Sequence, residues 1–270
     1  MKAFCVSIPS EKERRRHCKA QYEIAGIEYE FIPAIDGRIE IIEPPTPLDE
    51  QDSNRWKQIH TEANRFSFLQ DNMSSPARAC AISHAIAWEK AAEKSKEDGL
   101  HHMVNEDDFK LGMVEDLEVT LKEVESSPFD IVYLGYRGGE SMDSSARKWA
   151  QRQWHHLKYA ASPRSLQHKL RRNYVLHQTP QRVRGFQYLL RAGMTWGGHA
   201  YIMNARGAEA LIESNRSLRF LPDEALRWVI LEGKVKVGMS QTKHFICEDF
   251  GSAIRSPEEH DNHHRRYPSK

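Results

Sequence analysis

The opening of the chain constrains its fold more than any other stretch. Residues 3 to 8, "AFCVSI", form an apolar, β-favouring run. In "SEKERRRHCKAQYEIAGI", which follows, Ser10 with Glu13 predicts a capping-box helix start, and Gly26 predicts the stop. "EYEFIPA", residues 28 to 34, alternates as a strand does, and the dipeptide Asp36-Gly37 closes it with a turn. A strand, a helix and a second strand in so short a span make a βαβ unit, and such units build a largely parallel sheet. The fold class expected is therefore α/β, a mixed, mostly parallel sheet flanked by helices.

Later patterns extend it. Residues 40 to 55, "EIIEPPTPLDEQDSNR", are Pro-rich and acidic and read as a loop or flap. "PARACAISHAIAWEKAAEKSKEDG" is a long helix whose apolar face is expected at Ala81, Ile82, Ala85, Ile86 and Trp88. "LHHMV" is the next strand, "MVEDLEVTLKEVE" a helix, and "FDIVYLG" a strand over residues 129 to 135. A strand at 200 to 204, a helix opening at "NARGAEALI", a helix in "PDEALRWVILEG" and a final strand with an irregular return complete the pattern. A chain of 270 residues with 39% apolar content can bury a sizeable core. One domain over 1–254 is expected, with halves 1–136 and 137–254 and a tail at 255–270.

The stretch "HMVNEDDFKL" places Glu106, Asp107 and Asp108 at the carboxyl end of a strand, where open α/β sheets bind their ligands. Adjacent carboxylates sit in water, pair with basic groups or hold a cation. Side chains two apart on an extended chain point the same way, so Glu106 and Asp108 can share a divalent ion while Asp107 turns aside. Mg²⁺ or Mn²⁺ bound by such oxygen ligands completes its shell with water and substrate phosphates. A solvated acidic turn or a helix N-cap remains the alternative.

Lys and Arg total 39 against 38 Asp and Glu, so net charge announces no anionic partner. The distribution is uneven: residues 144 to 208 contain no acid, while Arg147, Lys148, Arg152, Lys158, Arg164, Lys169 and further Arg residues crowd them. Interleaved aromatics, including Trp149, Trp154, Tyr174 and Tyr188, would suit nucleic acid, a phosphorylated glycolipid core, an anionic membrane surface, or a lid over a diphosphate. Cys5, Cys18, Cys80 and Cys247 show no paired spacing, which fits a reducing compartment and argues against structural zinc. The apolar run at the start is too short for a signal peptide, and no segment reaches the length of a membrane span. The expected location is cytoplasmic, with peripheral membrane contact through the basic block.

Taken in order, "VSIPSEKERRR", "GIEYEFIPAIDGR", "PARACAISHAIAW", "EDD", "AYIMNARGAEALI" and "PDEALRW" resemble glycosyltransferase family 25, which contains lipopolysaccharide and collagen galactosyltransferases. The resemblance implies a GT-A-type Rossmann-like fold, a UDP-sugar donor (most often galactose), Mn²⁺ or Mg²⁺, a glycan or glycoconjugate acceptor, and inversion at the anomeric carbon. Carried over residue by residue, it makes Glu106 and Asp108 the metal-binding acids and Asp107 the middle member. Ser83 and His84 stand at the family's Ser-His pair, and Asp223 follows Pro222 as in its C-terminal motif. Ser7, Arg14, Arg15 and Asp249 are further donor-site candidates. There are departures: Pro76, Ala77, Arg78, Ala79 and Cys80 replace a Gly-Glu-x-Gly-Cys run, and Asn105 replaces an apolar residue.

In an inverting transfer a carboxylate takes the proton of the acceptor hydroxyl. Asp223 is the candidate, with Glu224 in reserve, although an Asp after Pro222 also suits a helix N-cap. His84 would contact donor or acceptor, and a core histidine is its bland reading. Trp196, Gly197 and Gly198 could floor the acceptor sugar, with a core tryptophan beside a turn as the alternative. A nuclease or nucleotidyltransferase would use the same acids with the basic block, but needs a second set of acids that the sequence does not supply. A noncatalytic module that keeps the transferase fold is the other rival.

Overall fold

The computed structural model describes residues 1–43, 45–47, 49–64, 73–137, 146–163, 180–193 and 195–248. Its strands are β1 (Lys2–Ser7), β2 (Glu28–Pro33), β3 (His102–Glu106), β4 (Phe109–Leu111), β5 (Ile131–Arg137), β6 (Gln181–Arg182), β7 (Leu189–Arg191), β8 (Trp196–Met203), β9 (Val237–Ser240) and β10 (Phe245–Cys247). The helices are α1 (Lys12–Ala25), α2 (Glu50–Asn64), α3 (Ser75–Asp98), α4 (Leu117–Ser126), α5 (Ala146–Ala160), α6 (Ala205–Ser214) and α7 (Pro222–Glu232).

Eight strands form one sheet in the order β2-β1-β3-β8-β5-β9-β7-β6, and β10 pairs with β4 in a small second sheet. Pairing of β1 with β2 and β3, and of β5 with β9, is parallel; β8 and β7 run against their neighbours. Six strands (β2, β1, β3, β5, β9, β6) thus point one way and two (β8, β7) the other. This is the mixed α/β sheet expected, and β8, from late in the chain, lies between two strands from the early part.

Side chains alternate across the sheet as the strand period of two requires. Phe4, Val6, Val104, Tyr133, Tyr201 and Met203 pack on one face with Trp88 of α3, Leu211 of α6 and Trp228 of α7. Ala3, Cys5, Met103, Val132, Leu134 and Ile202 pack on the other with Cys18 and Tyr22 of α1 and Leu117 and Val124 of α4.

Local details differ from the sequence reading. Helix α1 is capped by Glu11 without a side-chain bond, so Ser10 forms no capping box, while Gly26 does take the left-handed stop at φ 64°. The acidic stretch ends in α2, which starts at Glu50 and buries Trp56. Helix α3 buries Ala81 and Trp88 of the expected face, but turns so that Ser83, His84 and Ala87 are buried with them while Ile82, Ala85 and Ile86 are only half so. Close approach fixes one loop: a Cβ on Gly37 would lie 2.4 Å from the Pro76 Cα, so only glycine lets the turn after β2 rest on the start of α3. No helix among the described residues is long and apolar enough to cross a membrane.

At the foot of β3, His101 Nδ1 lies 3.1 Å from a Glu125 oxygen of α4, and its Nε2 lies 3.0 Å from the Phe129 carbonyl. Burial alone would lower the His101 pKa, but Glu125, the Phe129 carbonyl and Asp130 outweigh it and raise it. Glu125 is correspondingly lowered against its own burial. The stability from a raised histidine is full below about pH 6.5 and lost as pH rises through its folded value; that from a lowered Glu is present above about pH 4.3. Glu125→Gln is therefore expected to lower the unfolding midpoint by about 2 to 4 °C at pH 5.5, from a partly exposed pair worth about 1 kcal/mol, and by less at pH 8.5. Equal losses at the two pH values would show that the pair is not charged as described.

Candidate functional site

Strand β3 ends at Glu106, and the three acids sit at the carboxyl edge of the sheet. Each is handled differently. Glu106 Oε1 lies 3.3 Å from Nε2 of His84, itself fully buried, in an ion-pair contact too poorly aligned to count as a hydrogen bond. Behind it runs a relay. Trp88 Nε1 donates to the Tyr201 hydroxyl at 2.7 Å, and that hydroxyl is 3.2 Å from His84 Nδ1. The ring is thereby held with Nδ1 toward Tyr201 and Nε2 toward Glu106. Burial alone would raise Glu106, but His84, with His199 and Arg14, holds it below the usual value.

Asp107 turns away, as expected of the middle residue, and is buried against Arg14 of α1, whose Nε is 3.0 Å from Oδ1. Burial raises its pKa in spite of Arg14. Asp108 has the least compensation: Arg14 approaches only to 3.9 Å, and Cys247 Sγ to 3.7 Å. Burial, then the neighbouring charge of Glu106, push Asp108 up to about 8.

The remaining candidates divide. Asp223 belongs here: a Cβ on Gly198 of β8 would lie 2.9 Å from Asp223 Oδ1, and the charge of Asp223, like those of Glu106 and Asp108, acts on the half-buried Cys80 of α3, whose thiol is raised chiefly by burial. Asp223 is the second residue of α7; Leu221 is the N-cap and Pro222 the first helical residue, so the capping role is excluded. Glu224 is tied to Arg227, which donates to both carboxylate oxygens at 3.0 Å.

Ser83 is turned inward, accepting from Ile35 N–H at 3.0 Å and donating to the Ala79 carbonyl at 2.7 Å, so it holds a loop and not a donor. Ser7 and Arg15 are likewise engaged with each other: Arg15 donates to the Ser7 hydroxyl at 3.0 Å and carbonyl at 2.9 Å, and stacks over Phe31. That geometry does not fit a diphosphate contact from Arg15, and the charge of Arg14 is directed to Asp107. Asp249, Tyr174 and Arg164 lie outside the described residues, as do residues 144–145, 164–179 and 194 of the basic block.

Two residues at the site were not found in the sequence. His199 of β8 and Cys247 of β10 each bring a ligand-type atom to Asp108, all within 4.8 Å of one another. Neither stands in a local motif; only the pairing of distant strands brings them in.

The departures noted in the sequence have structural partners. Buried Asn105 accepts from the Tyr22 hydroxyl at 2.6 Å and donates to the Glu106 carbonyl at 2.9 Å. Ala77 packs with Met73 and Ala81, and Arg78 donates to the Ile42 carbonyl at 2.6 Å.

A sequence model of glycosyltransferase family 25 (LPS biosynthesis protein) matches residues 1–226. The chain belongs to this family. No curated protein matches it. Membership makes it a glycosyltransferase, with a sugar donor and a glycan acceptor as its partners in general terms, and the converging acids stand where the sheet of such a fold presents its ligands.

Gly198 supplies a test of the placement of Asp223. In Gly198→Ala the new methyl would meet the side-chain ends of Asp223 and Leu226, both at 2.9 Å, and the ring of buried Tyr201 at 3.3 Å. Stability is expected to fall by less than about 1.5 kcal/mol. Transfer rate should fall on the order of 10²-fold as the carboxylate is displaced. An unchanged rate would mean that Asp223 is not needed in that position.

Proposed function

We propose that this glycosyltransferase moves a hexose, galactose in the first instance, from a UDP-activated donor to a hydroxyl of a glycan or glycoconjugate, with inversion and with a divalent cation at Glu106 and Asp108. Sugar, nucleotide and stereochemistry follow the family resemblance. The observation that carries the cation is a single atom: Asp108 Oδ1 is shut off from solvent and has no hydrogen-bond partner among the described residues. A buried carboxylate oxygen left so is costly, and a cation would satisfy it. The donor set around it fits a metal, and Glu106 and Asp108 would hold it, Mn²⁺ or Mg²⁺ being the ions expected of oxygen ligands.

When bound, the cation supplies Lewis-acid charge toward the departing diphosphate. The other tasks fall to the chain itself. His84 orients Glu106 and keeps it ionised; Arg14 neutralises Asp107, so that the middle acid does not repel the donor phosphates. Asp223, ionised, accepts the proton of the attacking hydroxyl. A cleft of about 400 Å³ lined by Asp116, Arg182, Phe186, Tyr188 and Gln241 opens at the same edge of the sheet. It lies at β9, three strands from β3, roughly 14 Å away at a spacing of about 4.8 Å. Aromatic rings to stack on pyranose faces and polar groups to meet hydroxyls suit it to the acceptor beyond its reacting end. Helix α5, with Trp154 and Leu157 exposed in an acid-free segment, suits an anionic acceptor or membrane surface.

Two measurements test this reading. UDP with Mn²⁺ at 100 times the dissociation constant should stabilise the protein by about 2.7 kcal/mol, and Asp108→Asn should lose that gain. Asp223→Asn should keep the gain while turnover falls by about 10² to 10⁴-fold. Stabilisation that survives in Asp108→Asn would remove the cation from this position.

A further inference from the structure

Three ligand-type atoms from distant parts of the chain meet beside Glu106: a carboxylate oxygen of Asp108, a ring nitrogen of His199 and Sγ of Cys247. Backbone pairing holds them there. The antiparallel register of β3 with β8 ends at Asn105 opposite Ala200, which puts His199 across from Glu106. The register of β10 with β4 sets Cys247 opposite Phe109, the residue after Asp108, and Glu248 N–H donates to the Asp108 carbonyl. The thiol points at Asp108 Oδ2 from 3.7 Å, and the other oxygen, Oδ1, is the buried one that lacks a hydrogen bond. A carboxylate, an imidazole and a thiol brought to one place by independent strands form the donor set of a transition-metal site.

We infer that His199 and Cys247 join Asp108 as ligands of the donor-site cation, and that this mixed oxygen, nitrogen and sulfur set takes Zn²⁺ or Co²⁺ in preference to Mg²⁺. The inference rests on the reading that a cation binds at Asp108. Mg²⁺ prefers hard oxygen ligands and dehydrates reluctantly, whereas imidazole and thiolate favour the later first-row ions. Sulfur binds as thiolate, so uptake of the ion releases the Cys247 proton to solvent. With Glu106 these make four protein ligands, and an ion that expands to five or six positions keeps room for water or donor oxygens. Cys80, His84 and Glu106 gather similar atoms next door, but there the two imidazole nitrogens already face Tyr201 and Glu106. There His84 orients Glu106 and is not itself a ligand of the ion.

Co²⁺ alone, titrated into the metal-free full chain and followed by electronic absorption, separates the possibilities. Wild type should show visible d–d bands together with a near-ultraviolet thiolate-to-cobalt band, neither removed by a large excess of Mg²⁺. Cys247→Ser should lose the near-ultraviolet band, keep the visible bands, and bind at least about tenfold more weakly, since even an outer partner of a ligand is worth that much. His199→Gln should shift the visible bands while retaining the sulfur band, so the assignment stays testable should the serine variant not fold. Unfolding of the metal-free variants checks that the fold is kept. Visible bands in wild type without a sulfur band would overturn the role of Cys247 and leave the cation at Asp108 intact. A sulfur band that persists in Cys247→Ser would overturn it equally, by pointing to Cys80. No uptake of Co²⁺ would overturn this inference and the cation reading together.

Discussion

Three consecutive carboxylates at the end of a buried strand repel one another, and much of the surrounding structure is arranged around that repulsion. Water would ordinarily screen such a run, but here the acids sit where α1, α3, β8 and β10 converge. Glu106 is kept charged by an imidazole, Asp107 is faced by a guanidinium that offsets part of its burial, and Asp108 has the least compensation. The inequality is informative. Compensating two of the three acids fixes the framework, and leaving the third short of positive charge makes a place where an added cation is favourable.

The phase of α3 follows from the same constraint. A helix read by apolar periodicity alone would bury Ile82 and Ile86, but the observed helix buries Ser83 and His84. Placing His84 behind Glu106 requires that rotation, and the hydrogen bonds of Ser83 to Ile35 and Ala79 and the Tyr201-Trp88 relay satisfy the polar groups it brings inside. Asn105 is accommodated in the same way, through Tyr22 and the Glu106 carbonyl. Polar residues that look out of place in a strand or on an apolar face are here parts of one buried network, and Ala77 and Arg78 have become packing and loop-holding residues.

Short-range pattern was therefore enough for the βαβ opening, for α3, β3, α4, β5, β8, α6 and α7, and for the acids at the end of β3, because each depends on residues close in the chain, but it gave no sign of β4 or of α5, β6 and β7 in the basic block. It failed where the deciding contact was distant. Ser10 was expected to cap α1, yet the helix starts one residue later on Glu11, without a side-chain bond. The proline-rich acidic stretch concealed the start of α2, whose buried Trp56 is anchored by tertiary packing. His199 and Cys247 carried no local signal at all, since one histidine in a strand and a cysteine outside any spacing motif acquire meaning only through registers set by other strands. Asp223, by contrast, stood out in the sequence through the family's Pro-Asp motif, and the same proline, by taking the first helical position, separates the aspartate from a capping role.

The position of β8 has a consequence for how the protein comes to be made. Strand β3 is complete by residue 106, but its partner on one side, β8, begins at residue 196. During synthesis the early βαβ unit therefore emerges with the future centre of its sheet as an open edge, and that edge stays unpaired while some ninety further residues are added. The acids at the tip of β3 lie on that same edge. Their mutual repulsion discourages two nascent chains from pairing there, so the charges that later define the pocket also guard the unfinished sheet.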